Sequence, residues 1–100
     1  MIAITGSSGL VGGALSNYLS NINHVNLVRE STYPSKQRIT KQYEVIDLEK
    51  SNSIKVLDKY KDLILIHCAA KIPNSKNSFQ DCYIDNTIID KNIFDYLQDR

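Results

Sequence analysis

The stretch Thr5-Gly6-Ser7-Ser8-Gly9-Leu10-Val11-Gly12 decides how this chain is read. It follows Ile2, Ala3 and Ile4, a short apolar run stopped by Gly6, which reads as a buried strand. It leads into Leu10, Val11, Ala14, Leu15, Tyr18, Leu19 and Ile22, whose spacing draws one apolar stripe down a helix of about three turns. The glycines are spaced Gly-x-x-Gly-x-x-Gly, and each has a task where a strand turns into a helix. Gly6 permits the tight turn, Gly9 lets backbone approach a pyrophosphate, and Gly12 lets the helix pack closely. The helix N-terminus adds free N–H groups and a positive dipole end. A glycine-rich turn without a ligand is the alternative. A P-loop is excluded, because no Gly-Lys-Ser/Thr follows at the needed spacing.

Downstream, short β-like runs alternate with amphipathic stretches. Residues 25–29 read as a second strand and residues 42–47 as a third, with Tyr43, Val45 and Ile46 as its β-favouring members. Between them, residues 30–41 are polar, contain Pro34 and read as a loop, with a short turn of helix within it as the alternative. Ser51 is the expected N-cap of a short helix to about Tyr60, with Ile54, Leu57 and Tyr60 facing inward. Residues 63–68 form the most apolar strand, and its lack of alternation predicts cover on both faces. A loop over 71–78 holds Pro73. A last helix runs from Phe79 to about Leu97, with Ile84, Ile88, Ile93 and Leu97 among its apolar positions. The alternation predicts an α/β fold: a partial doubly wound, Rossmann-like parallel sheet with strand order 3-2-1-4 and helices on both faces. One domain over residues 1–100 is expected.

Composition narrows the partners. The chain has 100 residues, 42% hydrophobic and 23% charged, with a formal net charge of +1. Dispersed, balanced charge argues against nucleic acid or an anionic membrane as partner. The apolar run 63–66 is far too short to span a bilayer, and the N-terminus has no basic, apolar leader. The expected location is therefore the cytoplasm. Cys68 and Cys82 read as structural thiols, since their spacing, with His24 and His67, fits no zinc motif.

With these segments in view, the sequence resembles the extended short-chain dehydrogenases/reductases, which include NAD(P)-dependent nucleotide-sugar epimerases, dehydratases and reductases. The resemblance spans nearly the whole chain. It implies a dinucleotide bound by Gly6, Ser8, Gly9, Leu10, Val11 and Gly12 of the glycine loop. Arg29 stands where the family's second strand meets the adenosine ribose. A cation there suits the 2′-phosphate of NADP, whereas an acid such as the following Glu30 would suit NAD, so the expected cofactor is NADP or NAD with the balance towards NADP. A solvent-facing arginine is the alternative. Asp47-Leu48 resembles the family's Asp-Leu pair, whose carboxylate accepts from the adenine amino group; a turn or capping aspartate is the other reading. His67-Cys68-Ala69-Ala70 resembles the strand ending His-x-Ala-Ala, which implies that Cys68, Ala69 and Ala70 lie against the cofactor. No catalytic role falls to His67, which is expected to be buried and hydrogen-bonded. Asn86 and Asn92 resemble the asparagines of Asn-x-x-Gly-Thr-x-Asn, the first of which supports the active-site architecture. Ile89 and Asp90 stand in place of Gly-Thr.

The family's chemistry rests on Tyr-x-x-x-Lys, where the lysine's charge lowers the tyrosine's pKa for proton exchange with substrate. None of the six tyrosines here is followed by lysine four residues on. The expectation is a domain truncated before the catalytic region, with no catalytic residue of its own. Three readings stand open: the cofactor half of an epimerase, dehydratase or reductase; a non-catalytic NAD(P)-binding module; and a degenerate remnant. Loss of a fifth strand would leave the fourth as an apolar edge, so homo-oligomerisation through that edge or through the last helix is also expected.

Overall fold

The computed structural model describes residues 1–29 and 42–100; the expected loop 30–41, with Glu30, lies outside the described residues. In chain order the elements are β1 (Ile2–Thr5), α1 (Leu10–Tyr18), β2 (His24–Val28), β3 (Tyr43–Val45), the 3₁₀ helix η1 (Ser53–Lys59), β4 (Ile64–His67) and α2 (Phe79–Asp99). They form two compact units, one of 1–46 and 56–69, the other of 47–55 and 70–100.

The first unit holds the sheet. Its order is β3-β2-β1-β4, all parallel, as the strand and helix alternation predicts. Register runs Ile4 opposite Asn26 and Ile66, and Thr5 opposite Leu27 and His67. Ala3, Ile4, Val25, Leu27 and Val28 are buried. Burying an aliphatic side chain fully is worth about 1.5–3 kcal/mol, so these short strands carry much of the unit's stability. The chain passes β1 in the middle and adds strands on either side of it, which makes the carboxyl end of β1 the place where strand order reverses.

Three expectations need correction. The apolar stripe of α1 is rotated from its predicted position: Leu10, Val11, Ala14 and Tyr18 are exposed, while Gly12 is the buried residue and Leu15, Ser16 and Leu19 are partly covered. Contact through a residue without a side chain lets the backbones meet, so the covered face centres on Gly12 and leaves Leu10 and Val11 outside. β4 is not covered on both faces. Among the described residues it pairs only with β1, and Ile64 is 63% exposed. The segment after Ser51 is a 3₁₀ helix beginning at Ser53, although Ile54 and Leu57 are buried as expected. At its start the Ser53 hydroxyl accepts from the Asp47 amide at 2.7 Å.

His24 is 1% exposed and still fully partnered. Its Nδ1 lies 2.8 Å from the Ile22 carbonyl, which only accepts, so Nδ1 carries the proton. Nε2 therefore accepts from the Ser16 hydroxyl at 3.0 Å, tying α1 to the start of β2.

In the second unit, α2 opens with Ser78, whose hydroxyl accepts from the Asp81 amide at 3.1 Å. Cys82, Ile89 and Ile93 are its buried positions, whereas Ile84, Ile88 and Leu97 are largely exposed. Two asparagines of α2 bond to backbone within this unit. Asn86 donates to the Lys71 carbonyl at 2.9 Å and accepts from the Lys71 amide at 2.8 Å, and Asn92 donates to the Leu48 carbonyl at 2.9 Å. Lys71 Nζ lies 2.5 Å from Glu49 and 2.9 Å from Asp85. Hydrogen bonds to Glu49 and then Asp85 raise the lysine pKa above its ordinary 10.5, against a smaller opposing effect of desolvation.

Two outcomes are expected. Gly12→Ala lowers unfolding free energy by about 1–3 kcal/mol in chemical denaturation, because its Cβ would sit 2.1 Å from the Gly6 carbonyl oxygen and backbone must move. That cost exceeds the roughly 1 kcal/mol that alanine gains in helix propensity. For Lys71, the folded pKa is raised, so its contribution is complete below about pH 10.5 and fades as pH rises through the folded value. The stability difference between wild type and Lys71→Gln is then about 0.5–1 kcal/mol at neutral pH and shrinks above that point; a difference that grows with alkalinity would refute the sign.

Candidate dinucleotide site

The site is built where β1 ends. Gly6 takes φ +70, the left-handed region that favours glycine. A Cβ there would lie 2.7 Å from the Ala69 nitrogen and 2.8 Å from the Cys68 carbonyl carbon. Gly6 therefore does two things: it turns the chain, and it lets the peptide leaving β4 press against the loop. Gly12 then presses on Gly6 from the other side, as its missing Cβ shows. Gly9 differs, since a Cβ on it would meet only the Gly6 carbonyl oxygen at an ordinary 3.4 Å. Gly6 and Gly12 thus serve the protein's own packing, and Gly9 leaves its surroundings open.

Gly9 is the N-cap of α1 and makes no side-chain cap bond. Its amide donates to the Gly6 carbonyl at 3.0 Å, and its carbonyl accepts from Gly13 at 2.9 Å. A helix leaves its first N–H groups without intrahelical partners, and here no side chain covers them. Ser8, Leu10 and Val11 are exposed around this turn, Leu10 at 90%. Large apolar side chains held in water beside uncapped amides are the surroundings that an amphipathic ligand requires. The Ser7 hydroxyl is buried with no hydrogen-bond partner, an unsatisfied polar group inside the loop that the glycine pattern alone gives no reason to notice.

Beside the loop, the Thr5 hydroxyl oxygen is a hub. It accepts from the Cys68 amide at 3.0 Å and from the Ala69 amide at 3.0 Å. It also lies 2.6 Å from His67 Nδ1. A hydroxyl has two acceptor positions and one proton, so with both acceptors filled it donates to Nδ1. His67 is consequently neutral at Nδ1 in this arrangement, with its ring proton on Nε2. The histidine is exposed at the end of the edge strand, not buried as the sequence suggests, but it is hydrogen-bonded. Sequence reading overlooked Thr5; its place immediately before Gly6 was the available signal.

The remaining expected site residues lie as follows. Arg29 is exposed one residue beyond β2, and Cys68 and Ala69 are partly covered one and two residues beyond β4. In the second unit, Asp47 is exposed and Leu48 buried. Asp47 Oδ1 accepts from the Glu49 amide at 3.1 Å, the turn-forming behaviour held open for it, and Oδ2 lies 3.9 Å from Lys50 Nζ. Ala70 is exposed, and both polar atoms of the Asn86 side chain are engaged with Lys71. Among the described residues there is no cluster of histidine, cysteine or acids suited to a metal, and no helix long and apolar enough to cross a membrane.

A family model described as the NAD dependent epimerase/dehydratase family matches residues 2–100. Two solved structures share the fold. UDP-N-acetylglucosamine 4-epimerase from Bacillus cereus is 22% identical with a TM-score of 0.66, over 94% of this chain and 32% of that one. L-threonine dehydrogenase from Clostridium difficile is 24% identical with a TM-score of 0.67, over 91% of this chain and 30% of that one. The chain thus spans about a third of the length of these structures. No curated protein matches it in sequence. With its glycine turn at the strand-order reversal and a family match over nearly all its length, the chain belongs to the NAD dependent epimerase/dehydratase family.

Proposed function

We propose that this chain binds the dinucleotide of an NAD(P)-dependent epimerase, dehydratase or reductase, whose full-length form acts on nucleotide sugars. The observation that carries the reading is Gly9: an open backbone position at the uncapped N-terminus of α1, at the point where strand order reverses. Open α/β sheets bind ligands at that point, beyond the carboxyl ends of the strands. The donor set fits a pyrophosphate, because amides at a helix N-terminus favour negative charge without requiring a lysine. Leu10 and Val11, exposed beside those amides, would cover apolar parts of the cofactor.

Each residue has a limited task in this reading. The turn 6–12 binds and orients the pyrophosphate. Arg29, just past β2, faces the adenosine ribose, and its cation selects NADP over NAD. Ala69 keeps the end of β4 low enough for the cofactor to lie along it. Ser8 and Cys68 belong to the same surroundings, and in the second unit Asn86 holds Lys71. When bound, the nicotinamide supplies a hydride acceptor and donor. The proton-transfer pair Tyr-x-x-x-Lys is not among these residues, and the roles assigned to them are binding and orientation.

Calorimetric titration with NADP and with NAD tests this. Saturable binding is expected, with NADP the tighter. Gly9→Val is expected to melt within a few degrees of wild type, since its Cβ meets only an ordinary contact, while weakening dinucleotide binding by more than about tenfold, or about 1.4 kcal/mol. Arg29→Ala is expected to weaken NADP by about tenfold, the loss of a charge-assisted phosphate contact, and to leave NAD nearly unchanged. A cooperatively folded wild type that binds neither dinucleotide would overturn the reading.

A further inference from the structure

We infer that His67 is a positioning residue for the dinucleotide site, acting through the orientation of the Thr5 hydroxyl. The starting point is a chain of contacts with no slack. Gly6 has no side chain, and the peptide joining Cys68 to Ala69 occupies the space a Cβ would need, at 2.7–2.8 Å. Two hydrogen bonds hold that peptide and its predecessor in place, from the Ala69 and Cys68 amides to Thr5 Oγ1, both at 3.0 Å. The Cys68 amide also reaches the Thr5 carbonyl at 3.3 Å, so it has a second acceptor. The Ala69 amide relies on the hydroxyl.

A threonine hydroxyl turns about its C–O bond, and only some orientations aim both lone pairs at these two amides. The proton must then point away from them and needs its own acceptor. His67 Nδ1, at 2.6 Å, is that acceptor. The imidazole thereby selects one hydroxyl orientation, which holds the β4 exit against Gly6. This arrangement lies on the β1 and β4 strand ends, where the proposed cofactor would rest, and the inference about binding rests on that reading. The effect on the peptide itself does not, and can be measured without any ligand.

Atom placement makes the idea testable by substitution. The Asn side-chain oxygen lies about as far from the backbone as histidine Nδ1 and accepts hydrogen bonds, so His67→Asn keeps the acceptor. His67→Leu retains bulk and removes it. The experiment is amide hydrogen exchange and nitrogen-resolved NMR on the whole chain, followed by calorimetric titration with NADP.

In wild type the neutral His67 ring is expected to carry its proton on Nε2. His67→Leu is expected to speed exchange of the Ala69 amide about tenfold or more, with a smaller change at Cys68, whose second acceptor remains. It should also weaken NADP binding about fivefold to tenfold. His67→Asn is expected to restore the Ala69 exchange rate and the affinity to within about twofold of wild type. Combining His67→Leu with Thr5→Val should accelerate Ala69 exchange no further than Thr5→Val alone, since both act on one hydroxyl.

An Ala69 amide indifferent to His67→Leu, or a neutral ring protonated on Nδ1, would overturn the inference. So would failure of His67→Asn to restore what His67→Leu removes. Should His67→Leu fail to fold, the wild-type tautomer and the His67→Asn exchange rates still decide the question. If wild type binds no dinucleotide, the proposed function fails, and the exchange results judge the positioning role separately.

Discussion

The first unit depends on the absence of two side chains. Gly6 and Gly12 allow three pieces of backbone to meet at one place: the end of β1, the start of α1 and the exit from β4. Any Cβ at either position would collide with main chain, which cannot rotate away as a flexible side chain can. The contact sets which face of α1 is covered, with Leu10 and Val11 outside. Short strands of three to five residues cannot impose such a geometry by hydrogen bonding alone. Close backbone approach makes the turn a rigid feature on which a ligand site can be built.

Polar groups at the strand ends complete what the glycines begin. The Thr5 hydroxyl uses all its hydrogen-bonding capacity, on two amides and an imidazole, so the crossing between β1 and β4 is held from both sequence directions. His24 plays a comparable part at the other end of the sheet, where it is buried and satisfied by Ser16 and the Ile22 carbonyl. Buried or partly buried polar groups of this kind favour one arrangement strongly, because any other would leave a donor or acceptor unpaired. Among the described residues, Ser7 and Asn26 are the exceptions, each with one buried oxygen that has no partner. Ser7 lies in the glycine turn itself.

Much of the architecture was legible in local pattern. The turn 5–12, the parallel order 3-2-1-4 and the long last helix all follow from glycine spacing, β-branched runs and helical periodicity, which are properties of neighbouring residues. Which face of each helix is covered was less legible. For α1 the pattern of large apolar residues pointed to Leu10, Val11 and Tyr18, yet the close contact runs through Gly12. For α2 the bonds of Asn86 and Asn92 to the backbone at Lys71 and Leu48 accompany a buried stripe through Cys82, Ile89 and Ile93. An amphipathic pattern registers side-chain size and polarity; it is blind to a glycine that makes contact by having no side chain.

The sequence by itself determined the class of fold, the place of the glycine turn and the absence of a Tyr-x-x-x-Lys pair within these residues, because each is written in residues close together along the chain. Only the tertiary structure decided that the peptide joining Cys68 to Ala69 packs against Gly6 while Gly12 presses on Gly6 from the helix. It also decided that Thr5 and His67, sixty-two positions apart, share one proton-directed contact. These facts depend on which segments meet in space, and strand pairing across such distances is set by the global register of the sheet, for which local sequence carries no separate signal.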